Sequence, residues 1–131
     1  MRLPLTWSVL AAVVFVSLSA GAAPRSDLSD FMRAKLKHSQ LVLEGLVMGD
    51  FDKIAKNSQD MSLLTLAVNW QVLQTPQYIE YSREFRSAAD ALAEAARKKN
   101  LDKASDEYNR VTFRCVECHK YIRDARMARA D

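Results

Sequence analysis

Apolar residues return every three or four positions through four long stretches of the chain, the spacing of one helical face. From Ser26 to Val47 the row is Leu28, Met32, Leu36, Leu43 and Leu46/Val47. From Phe51 to Leu73 it is Phe51, Ile54, Ser58, Met61, Thr65, Val68 and Val72. A third row, from Pro76 to about Lys99, holds Ile79, Ser82, Phe85, Ala89, Leu92 and Ala96. The fourth reaches roughly to Ala128 through Tyr108, Val111, Cys115, Cys118, Ile122 and Ala125. The breaks between rows carry helix-end chemistry. Gly49 fits a left-handed position and Asp50 a cap, Thr75 precedes Pro76, and Asn100 fits a left-handed turn before Asp102. Asp27 or Ser29 can cap the first helix. Long helices with short links must double back. The pattern predicts an all-α, up-down-up-down antiparallel four-helix bundle.

The opening stretch stands outside that pattern. Residues 1–22 carry Arg2, an apolar run from Trp7 to Leu18, and small residues at Ala20 and Ala22. That is the layout of a secretory signal peptide cut after Ala22. The run is shorter than the ~20 residues needed to span a bilayer. The expected domain is therefore residues 23–131, exported to the periplasm and free of the membrane once the signal is removed. With 49% hydrophobic residues, Gly 3 and Pro 3, the composition favours helices over disorder. A net charge of +3 from 19 basic and 16 acidic residues is interspersed, which argues against a nucleic-acid partner.

Export makes the cysteines informative. The chain has two, and both fall in Cys115-Val116-Glu117-Cys118-His119. On a helix, positions i, i+3 and i+4 share one side. C-x-x-C-H is the attachment motif of c-type haem. Each thiol adds to a vinyl group and becomes a thioether, while the imidazole binds the iron from one face. Other uses fit less well. No βαβ pattern surrounds the motif as a thioredoxin-like disulfide requires. A zinc site wants about four ligands, and only His38 remains to join these. A disulfide within one helical turn would strain the helix for little gain in loop closure. Arg123 follows His119 by one turn and suits a haem propionate, or else a solvated basic face with Lys120 and Arg126.

The opposite face of the iron decides the function. A second strong ligand gives a closed site for electron transfer, and an open face admits a diatomic gas. Met32, early in the first helix, is the leading candidate, with ordinary core packing as its alternative. His38 is the rival ligand, and Leu36 would leave the face apolar and open. Met48 and Met61 fall toward the far end of the bundle.

With the motif on its last helix, the chain resembles the cytochrome c′ family, including its methionine-ligated low-spin relatives. Cys115, Cys118 and His119 match the family's haem attachment, and Arg123 matches its basic residue one turn later. Ile122 stands where that family often has an aromatic residue. "DLSDFM" at 27–32 also resembles the entry of the periplasmic b-type cytochrome of the same bundle, placing Met32 in its ligand position. Leu28 stands where typical cytochromes c′ carry an arginine, which favours the methionine-ligated branch. The resemblance implies one covalent haem c, its iron held by His119 and Met32, in an electron-transfer protein that is not an enzyme. Redox proteins would be its partners. Related bundles often dimerise through their first two helices, which leaves a homodimer open. The alternative is a five-coordinate protein that binds nitric oxide or carbon monoxide. A third reading, without haem, is a small exported bundle that binds a partner.

Overall fold

The computed structural model describes residues 25–67 and 73–128. The expected signal peptide, Val68 and Val72 lie outside them. Among the described residues there are four helices and no strand: α1 (Arg25–Met48), α2 (Phe51–Leu64), α3 (Pro76–Arg97) and α4 (Leu101–Met127). No helix among them is long and apolar enough to cross a membrane.

Local chemistry sets the helix ends. Gly49 takes φ 67°, and the Asp50 and Gly49 amides donate to the Gly45 and Leu46 carbonyls, closing α1 in a Schellman motif. Asp50 then caps α2 by accepting from the Lys53 amide. Thr75 caps α3 in the same way, with Pro76 in the first turn. The end of α3 departs from expectation. Lys99, not Asn100, takes the left-handed conformation, with φ 55°. Asn100 is thereby free to cap α4, accepting from the Lys103 amide at 2.9 Å. Asp102 falls in the first turn, where its charge complements the helix dipole. α2 is also shorter than its apolar row. Thr65 Oγ1 donates to the Ser62 carbonyl at 2.7 Å and its amide bonds the same oxygen, so side-chain bonding tightens the chain into a turn.

α3 lies against both α2 and α4, α1 packs on α2, and the α1–α4 seam is the slightest of these four contacts. Two neighbours explain why α3 buries a wide face: Phe85, Ala88, Ala89, Leu92, Ala93, Ala95 and Ala96. Tyr78 is buried at its start, while Ile79, expected inward, is 51% exposed. Ile54, Met61, Leu92, Val42 and Val111 have essentially no exposed surface. Each contributes roughly 1.5–3 kcal/mol of burial. Ties between helices add register: Glu44 with Lys53 at 2.7 Å, Gln59 with Arg97 at 2.7 Å, Glu84 with Arg114 at 3.2 Å, and Ser39 with Tyr108 at 3.2 Å.

The inward face of α1 differs from the expected row. Leu36, Leu43 and Val47 are exposed, while Lys35, Val42 and Gly45 are buried. The cause is close approach at Gly45. A Cβ there would stand 2.8 Å from Ile54 Cγ1 and 3.2 Å from both the Asp50 carbonyl oxygen and the Ile54 amide nitrogen. Seating the glycine against α2 turns the helix by about one residue. Gly45→Ala is therefore expected to destabilise by about 1–2 kcal/mol. The overpacking cost of ~1–3 kcal/mol outweighs a helix-propensity gain of at most ~1 kcal/mol. Urea denaturation checks this, and a rise in midpoint would refute the close-packed crossing.

Candidate functional site

α4 carries the C-x-x-C-H motif as helix throughout, so Cys115, Cys118 and His119 sit within one turn. Cys118 is 9% exposed, Cys115 is half-buried beside the core, and both are free thiols. His119 is exposed, at the edge of the face that the thiols share, and not on the buried stripe itself. An open hollow of about 300 Å³ is lined by Cys115, Val116, His119 and Arg123. The turn is thus half inside and half out.

Electrostatics separate the three donors. Burial pushes the Cys115 thiol up from its ordinary value, against the pull of Lys35. Burial raises Cys118 as well, again opposed by Lys35, with Cys115 adding to the rise. Reactive redox cysteines have lowered values. These two are protonated at pH 7, which tells against thiol–disulfide exchange. Partial burial, followed by the cations of Arg123 and Lys35, lowers His119 below the usual histidine value. Its imidazole is neutral at pH 7 and keeps a lone pair for a metal.

Lys35 is the residue that the apolar pattern missed. It is only 8% exposed, and its Nζ stands 3.4 Å from the centroid of the buried Phe85 ring, a cation–π contact. Burial lowers its pKa to about 7, with Cys115 and Cys118 pulling the other way. Between about pH 7 and the ordinary lysine value the unfolded chain holds a proton that the folded chain has released. This group's contribution to stability therefore rises with pH over that window. The signal in the sequence was a lysine three residues after Met32, on the same helical side.

The remaining expected residues fall as follows. Met32 is half-buried on α1. His38 is turned to α2, its Nδ1 2.9 Å from Asn57 Oδ1 and 3.7 Å from Asp60 Oδ2, away from the thiols. Leu36, 59% exposed, does not face inward and covers nothing in the bundle. Arg123 is exposed on the hollow. Arg114 is held by Glu84 at 3.2 Å and Glu117 at 2.7 Å, which leaves Lys120 and Arg123 as the exposed cations flanking the motif. Among the described residues no three His, Cys, Asp or Glu side chains converge as a metal site. A porphyrin brings four ring nitrogens of its own, so one imidazole and one further donor complete an iron site.

No protein-family model matches the chain, and neither a curated protein nor a solved structure is significantly similar to it.

Proposed function

We propose that the protein is an exported c-type cytochrome, carrying one haem c on Cys115 and Cys118 with His119 as an iron ligand and Met32 on the opposite face. The observation that carries the reading is one turn of α4 that combines two free thiols and a neutral imidazole beside an open hollow. The donor set fits the group. Both thiols are available for thioether bonds, and the imidazole is deprotonated without needing a metal to make it so.

The bundle geometry supports an antiparallel, up-down-up-down order. Glu44 meets Lys53 while the earlier His38 meets the later Asn57. Glu84 meets Arg114 while the earlier Thr75 bonds the later Tyr121 at 2.8 Å. Gln59 meets Arg97, while Thr65 and Leu66 share a hollow with Tyr78–Arg86. Ser39 bonds Tyr108, and the earlier Lys35 faces the later Cys115 and Cys118. About two turns back from Ser39 lies Met32, and two turns on from Tyr108 lies Cys115. Helical side chains lean toward the N-terminus of their own helix. Met32 and His119, on opposed helices, lean toward the same level.

When bound, the haem supplies a one-electron couple. Cys115 and Cys118 would tether it, and His119 and Met32 would serve as donors to its iron, beside the hollow that Cys115, Val116, His119 and Arg123 line. Arg123 stands where it can meet a propionate. Lys120 and Arg123 are exposed for a redox partner, and the exposed row Leu36, Leu43 and Val47 is the apolar surface α1 offers to a second copy. The air-oxidised protein is expected to give a low-spin absorption spectrum, and Met32→Ala to turn the ferrous form high-spin and open to carbon monoxide. A wild-type ferrous protein that is already high-spin and binds carbon monoxide at once would overturn methionine ligation in favour of gas binding.

A further inference from the structure

The thiol turn of α4 falls between two ties to α3. Before it, Arg114 meets Glu84 at 3.2 Å. After it, the hydroxyls of Tyr121 and Thr75 share a hydrogen bond at 2.8 Å. Arg114 and Tyr121 are two turns of helix apart, so they stand on one side of α4, about 10 Å from each other along its axis. A helix pinned at two levels on one side resists both rolling and sliding. Cys115, Cys118 and His119 lie between those levels. The contact of α1 with α4 is slighter than that of α3 with α4. The direction in which the thiols and the imidazole point is therefore set chiefly from α3.

The two ties differ in stiffness. Arg114 is long, partly exposed, and divides its guanidinium between Glu84 and Glu117. Partly exposed ion pairs hold weakly. Tyr121 has a rigid ring, whose centre stands 5.7 Å from that of Tyr81 at an angle of 58°, a favourable tilted pair. Its hydroxyl meets an oxygen that is itself anchored, because Thr75 Oγ1 caps α3 and accepts from the Tyr78 amide at 3.2 Å. Tyr121 is also the nearer of the two to His119 in the chain. Two residues on a helix diverge by about 160°, so Tyr121 holds the side of α4 opposite the imidazole. We propose that Tyr121 is a positioning residue for the attachment turn: held by Thr75 and Tyr81 at the start of α3, it fixes the roll of α4 and with it the direction of the His119 imidazole. It acts through the helix and touches no bound group.

This inference rests on the haem reading, and the test keeps the two apart. Tyr121→Phe removes one oxygen, keeps the ring beside Tyr81, and leaves Thr75 its bond to the Tyr78 amide. Thr75→Ser keeps the hydroxyl and serves as the conservative variant. Gln59→Ala removes a different bond between helices, the one to Arg97 at 2.7 Å, and is the control. Wild type and the three variants are matured in a host with haem-attachment machinery, and intact mass establishes that each carries the group. Amide hydrogen exchange over Val116–Tyr121 is expected to quicken about fivefold in Tyr121→Phe, the factor that a hydrogen bond of ordinary net strength is worth. Thr75→Ser and Gln59→Ala should leave it as in wild type. Proton magnetic resonance of the ferric proteins then reads the haem methyl signals, whose spread follows the orientation of the axial imidazole. That spread is expected to change in Tyr121→Phe and to stay at the wild-type value in the other two. A tie that is merely structural would quicken exchange and leave the methyl spread unaltered. That result, or unaltered exchange, overturns the positioning role and leaves the haem reading standing. A mass equal to the bare polypeptide overturns both.

Discussion

Replacing both thiols, Cys115→Ser with Cys118→Ser, is expected to abolish covalent pigment while leaving the helices in place. Serine differs from cysteine by one atom, and in a helix its hydroxyl can return a bond to the carbonyl four residues earlier. Ser58 already does this in α2, donating to the Ile54 carbonyl at 2.7 Å while fully buried. The double variant should keep the helical circular dichroism of the apo-protein and release any associated haem into acidic organic solvent. Either single variant should retain one thioether. Pigment that stays with the polypeptide after both thiols are gone would show that the attachment lies elsewhere.

The second large effect concerns α4's own support. Glu107 has a side chain only 3% exposed, held by Lys103 Nζ at 2.8 Å and by Arg110, both on the same helix and about half exposed. Burial works to raise this carboxyl, yet the two cations prevail and hold it below the usual carboxylate range. Removing the cations, Lys103→Ala with Arg110→Ala, strands a buried carboxylate. The expected cost at pH 7 is about 3–5 kcal/mol, on the order of 20 °C in Tm for a domain of this size. Glu107→Met removes the charge itself and is expected to be near neutral by comparison. The pH dependence has a definite sign. In wild type the folded carboxyl is lowered, so its contribution is present above the unfolded value and lost as pH falls through the folded one. In the double variant burial acts unopposed, and acid should narrow the gap to wild type. A pair of variants equal in stability at pH 7 would show that Glu107 is not held as described.

The helix ends and the thiol turn were legible in the residues because their chemistry is local. Gly49–Asp50 and Thr75–Pro76 depend on conformations and caps set within a few positions. C-x-x-C-H is legible because the helical period alone brings its three residues to one turn. What the sequence concealed was set by contact between helices. The apolar row on α1 pointed to Leu36, Leu43 and Val47, yet Gly45's approach to Ile54 turns a neighbouring row inward. That rotation carries Lys35 into the interior, where a pattern of apolar positions gives no reason to look. Glu107 is hidden for the same reason: its burial is bearable only because Lys103 and Arg110 lie one turn to either side. His119 sits at the edge of the thiol face because a step of four residues overshoots the turn, by about 40°. The end of α2 depended on Ser62 and Thr65 bonding their own backbone.

These placements bear on the redox reading in a specific way. A haem on Cys115 and Cys118 would enter beside the α1–α4 seam, a slighter contact than α1 with α2, α2 with α3 or α3 with α4. Attachment should therefore order α1 against α4 more than any other pair, which amide hydrogen exchange of apo- and holo-protein would register.

A covalent haem on the thiol turn of α4, as proposed, adds a fixed mass to the chain. Intact-mass spectrometry under denaturing conditions, on protein matured in a periplasm with haem-attachment machinery, tests it most directly. The proposed attachment gives the mass of the processed polypeptide plus one haem. A mass equal to the polypeptide alone, with both thiols free to alkylate, would contradict it.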